Sequence, residues 1–317
     1  MTAVASVMSE LHVPFSSPAS TSLSELATLQ RVAMAVQSRA RKRVVTRSPG
    51  GSAARVLGRG LDFAEVREYR PGDDVRMIDW NVTARTGSAH TKLFVEERER
   101  PCLITIDYRA GMRFGTRGMY KSVLAARLGA ILGWCAVANN DRVGGVVSTD
   151  DRMHVARPQS GRRGLFELFR GLDLAQRAVP GTTTTEEMRQ DLLRLKKLAS
   201  SGSSICVISD FATMGESVES IYSAILATCE VTAIMVSDPV EAQLPPPGDY
   251  VLSHSGRRLA ISTNDDRTRA FYETRFEQRK ESLKQFFSRR GGQFVSVSTQ
   301  DDLITSATRV LTLSAGH

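Results

Sequence analysis

The sequence predicts an α/β protein built on a doubly wound sheet. Two observations lead there. From residue 103 onward, short apolar runs alternate with longer segments of helical periodicity. Two of those runs, Leu103–Asp107 and Ser204–Asp210, are rich in branched residues and end on an acid, as strands buried on both faces do. In such a sheet the C-terminal strand ends border a crevice where ligand sites gather.

The totals fit this. A chain of 317 residues with 41% hydrophobic content can bury a large core, with a smaller part beside it. Cys102, Cys135, Cys206 and Cys229 form no C-x-x-C pair and three lie in apolar runs, so buried thiols are expected, with neither disulfide nor zinc. No run of about eighteen apolar residues is evident, so no membrane span is expected. The N-terminus lacks a basic-then-apolar export pattern. These readings predict a cytoplasmic protein.

Residues 1–22 are rich in Ser, Thr and Ala and read as a flexible tail. Ser24 is a candidate cap for a helix from about Glu25 to Lys42, with Leu26, Leu29, Val32, Ala33 and Val36 at helical spacing. Residues 31–60 hold Arg31, Arg39, Arg41, Lys42, Arg43, Arg47, Arg55 and Arg59 and no acid, an excess equal to the net charge of +8. This is either a solvated face or a patch for nucleic acid or an acidic partner, and the lack of interleaved aromatics favours the first. A strand is expected near Leu61–Glu68, a tight turn at Pro71-Gly72 and a second strand over Thr91–Glu96. Asp73 or Asp74 can cap a helical turn, and Arg76, Asp79 and Arg85 are spaced to pair around Trp80.

The block Gly58-x-Gly60-x-x-Phe63-x-x-x-Arg67-x-Tyr69-x-Pro71-Gly72-Asp73-Asp74-x-Arg76-x-Ile78-Asp79-Trp80-x-x-x-Ala84-Arg85 resembles the signature of domain-of-unknown-function family 58. The resemblance runs on to near Asp302. It implies a small β segment joined to a von Willebrand factor A-like domain. It also implies a MoxR-type AAA+ ATPase as partner and a chaperone-like role in assembling or activating client proteins. The expected division is a tail (1–22), an N-terminal helix and small β region (23–100), and the von Willebrand factor A-like domain (101–317).

Within that last part the spacing predicts helices over 118–139, 164–174, 217–227, 266–290 and 301–313. Leu165, Phe166, Leu168 and Phe169 should face inward. Thr184-x-x-Glu187 is a capping box opening another helix, with Met188, Leu192, Leu195 and Leu198 inward. Strands are expected over 142–148, 153–156 as an antiparallel edge, 231–236 and 293–297. A hairpin folded at Ser255-Gly256 should form an insertion at about 240–262.

The resemblance further implies a metal-ion-dependent adhesion site: Asp-x-Ser-x-Ser after the first strand, a later Thr, and an Asp after the fourth strand. Asp107, Thr183 and Asp210 match the acids and the Thr, and would be the ligands if magnesium bound. The two serines are replaced by Arg109 and Gly111. Magnesium requires about six oxygens, and a fixed guanidinium repels it, so no cofactor is expected. Arg109 is instead expected to bridge Asp107 and Asp210.

No phosphate loop, dinucleotide fingerprint or nucleophile elbow is present, and the five histidines show no ligand spacing. A non-enzymatic adaptor is therefore expected. A nucleic-acid-associated protein using 31–60 is the alternative, and a metal-dependent hydrolase on Asp107 and Asp210 comes third.

Overall fold

The computed structural model describes residues 17–47, 63–70, 75, 78–94, 100–182, 184–254 and 257–314. It divides into two compact units, Met1–Pro49 with Arg100–His317, and Gly50–Glu99. The N-terminal helix thus belongs with the large unit and not with the small β region, a correction to the expected boundary at residue 23.

Helices α1 (Leu23–Thr28) and α2 (Gln30–Arg47) open the large unit. Ser22, not Ser24, caps α1, its hydroxyl accepting from Glu25 N at 3.1 Å. The described end of the expected tail is tied down. Arg127 donates to Ser17 O at 3.1 Å, Tyr120 N to Pro18 O at 2.8 Å, and Gln176 clasps both backbone groups of Thr21. The physical reason is burial: Leu26, Leu29, Val32, Ala33 and Val36 line the core of the large unit and bring this stretch with them.

In the small unit, β1 (Phe63–Glu68) pairs antiparallel with β2 (His90–Phe94), and α3 (Trp80–Thr86) lies between them in the chain.

The sheet of the large unit comprises β3 (Pro101–Asp107), β4 (Arg142–Ser148), β5 (Met153–Gln159), β6 (Ser204–Ser209), β7 (Glu230–Ser237) and β10 (Gln293–Ser298), in the order β10-β7-β6-β3-β4-β5. All neighbours are parallel except β5, an antiparallel edge. The strand order reverses between β3 and β6, so Asp107 and Asp210 meet there, as expected. One face carries α1, α2, α4 (Lys121–Ala138), α5 (Arg163–Arg177) and α10 (Leu303–Ser314). The other carries α6 (Thr185–Leu198), α7 (Glu216–Leu226) and α9 (Asp266–Ser288). A short α8 (Pro239–Ala242) follows β7. The predicted hairpin is present as β8 (Asp249–His254) and β9 (Arg257–Ser262); its tip, 255–256, lies outside the described residues.

Sequence reading missed one property of α4. This 18-residue helix reaches a mean hydropathy of 1.4 and is long and apolar enough to cross a bilayer. It lies 89% buried within the protein, between the sheet and α2, as a core helix. Phe166, expected inward, is 43% exposed, although its ring still meets Trp134 edge-on at 6.0 Å. Close approach of α5 to the sheet needs a glycine: a Cβ at Gly164 would lie 1.8 Å from Val143 O.

The N-terminal helices are locked onto α4 by a buried ion pair, Arg127 Nε to Glu25 Oε1 at 2.7 Å. Trp134 Nε1 adds a hydrogen bond to Leu26 O at 2.9 Å. Glu25→Ala leaves a buried guanidinium without its counter-charge and should cost about 3–5 kcal/mol. Urea denaturation checks this, and a loss below about 1 kcal/mol would place the pair in solvent.

Candidate functional site

The site is built at the C-terminal ends of β3 and β6. β3 ends on Asp107 and Asp210 directly follows the last residue of β6, which puts both acids at the mouth of the crevice. Asp107 Oδ2 accepts from the Ser209 hydroxyl at 2.8 Å, and Oδ1 accepts from Arg109 N at 3.1 Å. Asp210 Oδ1 accepts from Ala212 N at 2.9 Å. The next residue, Phe211, has φ 52°, a left-handed conformation rare for a bulky side chain. Its ring is buried against Phe287 at 5.6 Å, and that anchoring holds the turn.

Arg109 lies across this mouth, only 7% exposed. Its Nη1 donates to Asp107 Oδ1 at 3.2 Å and its Nη2 to Asp191 Oδ2 at 2.5 Å. The bridge therefore joins Asp107 to α6, not to Asp210 as expected. Asp210 has a cation of its own: Lys121, 1% exposed at the first turn of α4, donates to Asp210 Oδ2 at 3.0 Å and Glu241 Oε1 at 2.7 Å. A lysine opposes the dipole of a helix N-terminus. Burial alone would lower its proton affinity, but the two carboxylates outweigh that and hold its pKa above the ordinary lysine value. Burial pushes the Asp107 carboxyl up; Arg109 pulls it down and Asp210 adds to the rise, and the net direction is upward. Asp191 is raised for the same first reason, with Arg109 and Ser148 opposing.

A cleft of about 170 Å³ opens over these groups, lined by Asp107, Arg109, Gly111, Asp150, Met188, Asp210 and Thr213 among others. Asp150 ties two loops at its rim, accepting from Ala110 N and Gly181 N, both at 3.0 Å. A Cβ at Gly111 would stand 3.0 Å from Asp210 Oδ2, so this position fits a glycine beside the carboxylate better than a serine. Thr183 lies outside the described residues; its neighbour Thr184 caps α6 in the predicted capping box.

The donor set does not suit magnesium. The two hydroxyl positions hold a guanidinium and a glycine, and both acids already bind fixed cations. Among the described residues, no three His, Cys, Asp or Glu side chains are placed to hold a metal ion.

Sequence reasoning missed Asp191, Lys121 and Glu241. A signal existed for each. Asp191 sits three residues after Met188 on the inward stripe of α6, where an acid needs a partner. Lys121 opens a helix that is otherwise almost wholly apolar. Asp238-Pro239-x-Glu241 is itself a capping box with Pro at the first helical position.

The family described as Protein of unknown function DUF58 matches residues 65–282. The chain belongs to that family. Within it, the uncharacterized proteins Rv1480 of Mycobacterium tuberculosis and Mb1516 of Mycobacterium bovis are each 32% identical over 197 residues, 62% of this chain and 61% of theirs. The chain thus spans 61% of the length of these curated relatives. Among solved structures, conserved hypothetical protein BatB from Bacteroides thetaiotaomicron aligns at TM-score 0.43 and 15% identity, over 69% of this chain and 100% of its own. An aerotolerance-related membrane protein from Bacteroides fragilis aligns at 0.41 and 16%, over 67% and 96%. A third, from Vibrio fischeri, is described as membrane spanning and aligns at 0.20 and 13%, over 69% and 98%. Two of these three solved proteins are described as membrane proteins, against the cytoplasmic location expected of this chain, and that expectation is not retained.

The DUF58 signature is described in part. Pro71, Gly72, Asp73, Asp74 and Arg76 lie outside the described residues, as does the side chain of Arg67. Asp79 is the cap of α3, its carboxylate accepting from Asn81 N at 3.0 Å and Val82 N at 3.2 Å. The turn that Asp73 or Asp74 is expected to cap lies outside the described residues. Trp80 is 68% exposed, and Tyr69 N donates to Ala89 O at 2.8 Å across the small sheet. Arg85 lies exposed in the last turn of α3, where a cation suits the dipole.

Because Asp107 and Asp191 have raised pKa values, folding favours their protonated forms. Their contribution to stability is full below the ordinary carboxylate pKa, near 4, and declines as pH rises through the folded values. Arg109 limits that decline. Arg109→Ala should therefore cost about 3–5 kcal/mol at neutral pH, a deficit that shrinks toward acid pH. Urea titrations against the parent protein at several pH values check this, and a deficit independent of pH would assign Arg109 a packing role only.

Proposed function

We propose that this protein is a non-enzymatic adaptor whose large unit is a von Willebrand factor A-like domain. In this reading it works with a MoxR-type AAA+ ATPase in the assembly or activation of client proteins. The observation that carries the reading is the crevice between β3 and β6, where Arg109 and Lys121 neutralise the carboxylates that a metal would otherwise bind. Among its described residues the crevice offers a preformed polar rim with no activated nucleophile and no free general base. The strand order, with its antiparallel edge at β5, supports the von Willebrand factor A-like assignment. Having no phosphate loop of its own, the chain would take its ATP dependence from the partner.

The loops bordering the cleft, 109–112 and 210–213, are the docking surface in this account. Ala212 is exposed at that rim. Affinity purification from the native cell should recover a MoxR-type ATPase, and the purified protein should stimulate its ATP hydrolysis. Ala212→Arg should reduce that stimulation about tenfold, a hot-spot effect, without lowering stability. Stimulation untouched by this change, or none at all, would contradict the reading.

A further inference from the structure

Helices α2 and α10 form a second surface, whose residues do not line the cleft. They pack side by side in the layer that covers one sheet face. α2 buries Val32, Ala33, Val36 and Ala40 and turns Arg31 and Met34 outward, with Met34 65% exposed. α10 buries Ile304, Ala307 and Val310 and exposes Leu313. Neither helix contains an acid. α2 holds Arg31 and Arg39, then Arg41, Lys42, Arg43 and Arg47 in sequence; Arg309 of α10 is already paired with Asp301 at 3.6 Å and is no part of the free charge. Arg31 and Arg39 make no ion pair with any described residue, whereas Arg152, Arg177 and Arg189 each bind an acid within a turn of chain.

A basic face whose Arg31 and Arg39 meet no acid among the described residues, and which also exposes apolar side chains, has a specific physical complement. Phosphate-rich polymers satisfy the charge, but α2 carries no aromatic side chain to stack on a base, and Met34 and Leu313 gain nothing against a sugar-phosphate backbone. An anionic bilayer satisfies both features: its headgroups attract the arginines, and its acyl boundary accepts the apolar tips. The long arginine stems suit this geometry, since their carbons lie along apolar surface while the heads reach outward.

We propose that the α2–α10 face docks the protein peripherally on an anionic lipid surface, with Arg31 and Arg39 at the headgroups and Met34 and Leu313 at the acyl boundary. The proposal is independent of the adaptor reading, because it uses none of the crevice residues.

The test is co-sedimentation of the full chain with vesicles of phosphatidylcholine alone or with about one-third phosphatidylglycerol, at moderate and high salt. Binding should require the anionic lipid and weaken as salt rises. Arg31→Glu with Arg39→Glu should lower the affinity at least roughly 30-fold, and Arg31→Lys with Arg39→Lys should retain it. Met34→Ser should weaken binding by a similar factor at low and high salt, since its contribution is apolar and unscreened. The melting temperature of each variant, matched to the parent, separates lost docking from lost folding. Equal binding to neutral vesicles, no binding at all, or indifference to the charge reversal would overturn the proposal. So would duplex or single-stranded DNA that displaces the vesicles at equal salt, since the face would then be a nucleic-acid surface.

Discussion

Carboxylates gathered at the end of a buried sheet cannot stay charged without a partner. In this protein the partners are covalently part of the chain. Arg109 joins the β3 end to α6, and Lys121 joins α4 to the turn after β6 and to α8. Five segments distant in sequence are thereby fixed about one crevice. Each cation contacts two acids, so removing either one exposes uncompensated charge in a place water reaches poorly.

The same solution recurs where the N-terminal helices meet the core. Glu25 and Arg127 are both almost wholly inaccessible, and each also answers a polar need of its surroundings. The apolar stripe of α2 supplies the area term, and the ion pair with the Trp134 hydrogen bond fixes the docking angle. A helix as apolar as α4 depends on this cover. Without α2 its outer side would stand in water as a large exposed patch. A further buried carboxylate, Asp238, works in another way. It accepts from Thr116, Thr299 and Val240, and those hydrogen bonds outweigh burial and hold its pKa below the ordinary value. Its contribution is therefore present above the unfolded value and lost as pH falls, opposite in sign to that of Asp107.

The architecture was largely legible because its signals are periodic. Branched runs ending on acids marked β3 and β6, Thr184-x-x-Glu187 marked α6, and the hairpin followed from its turn. What escaped was tertiary. Arg109 could be assigned to Asp107 from local spacing, but its second partner is 82 residues away on a helix whose rotation the pattern fixed only coarsely. Asp210 was given the wrong cation because Lys121, at the start of an apolar helix, lies 89 residues away in sequence. Residues 17–22 read as a tail because composition reports the absence of apolar side chains and not the backbone hydrogen bonds that hold Ser17 and Pro18. The helix α3 itself was not read from the sequence, and its cap, Asp79, was assigned only to charge pairing.

The central claim is that protein cations, and not a divalent ion, neutralise the strand-end carboxylates. Anomalous diffraction from crystals soaked in manganese tests it most directly. The account predicts no anomalous peak between Asp107 and Asp210, with the Arg109 guanidinium still spanning Asp107 and Asp191. A manganese peak bonded to both Asp107 and Asp210, with Arg109 displaced from the crevice, would contradict it.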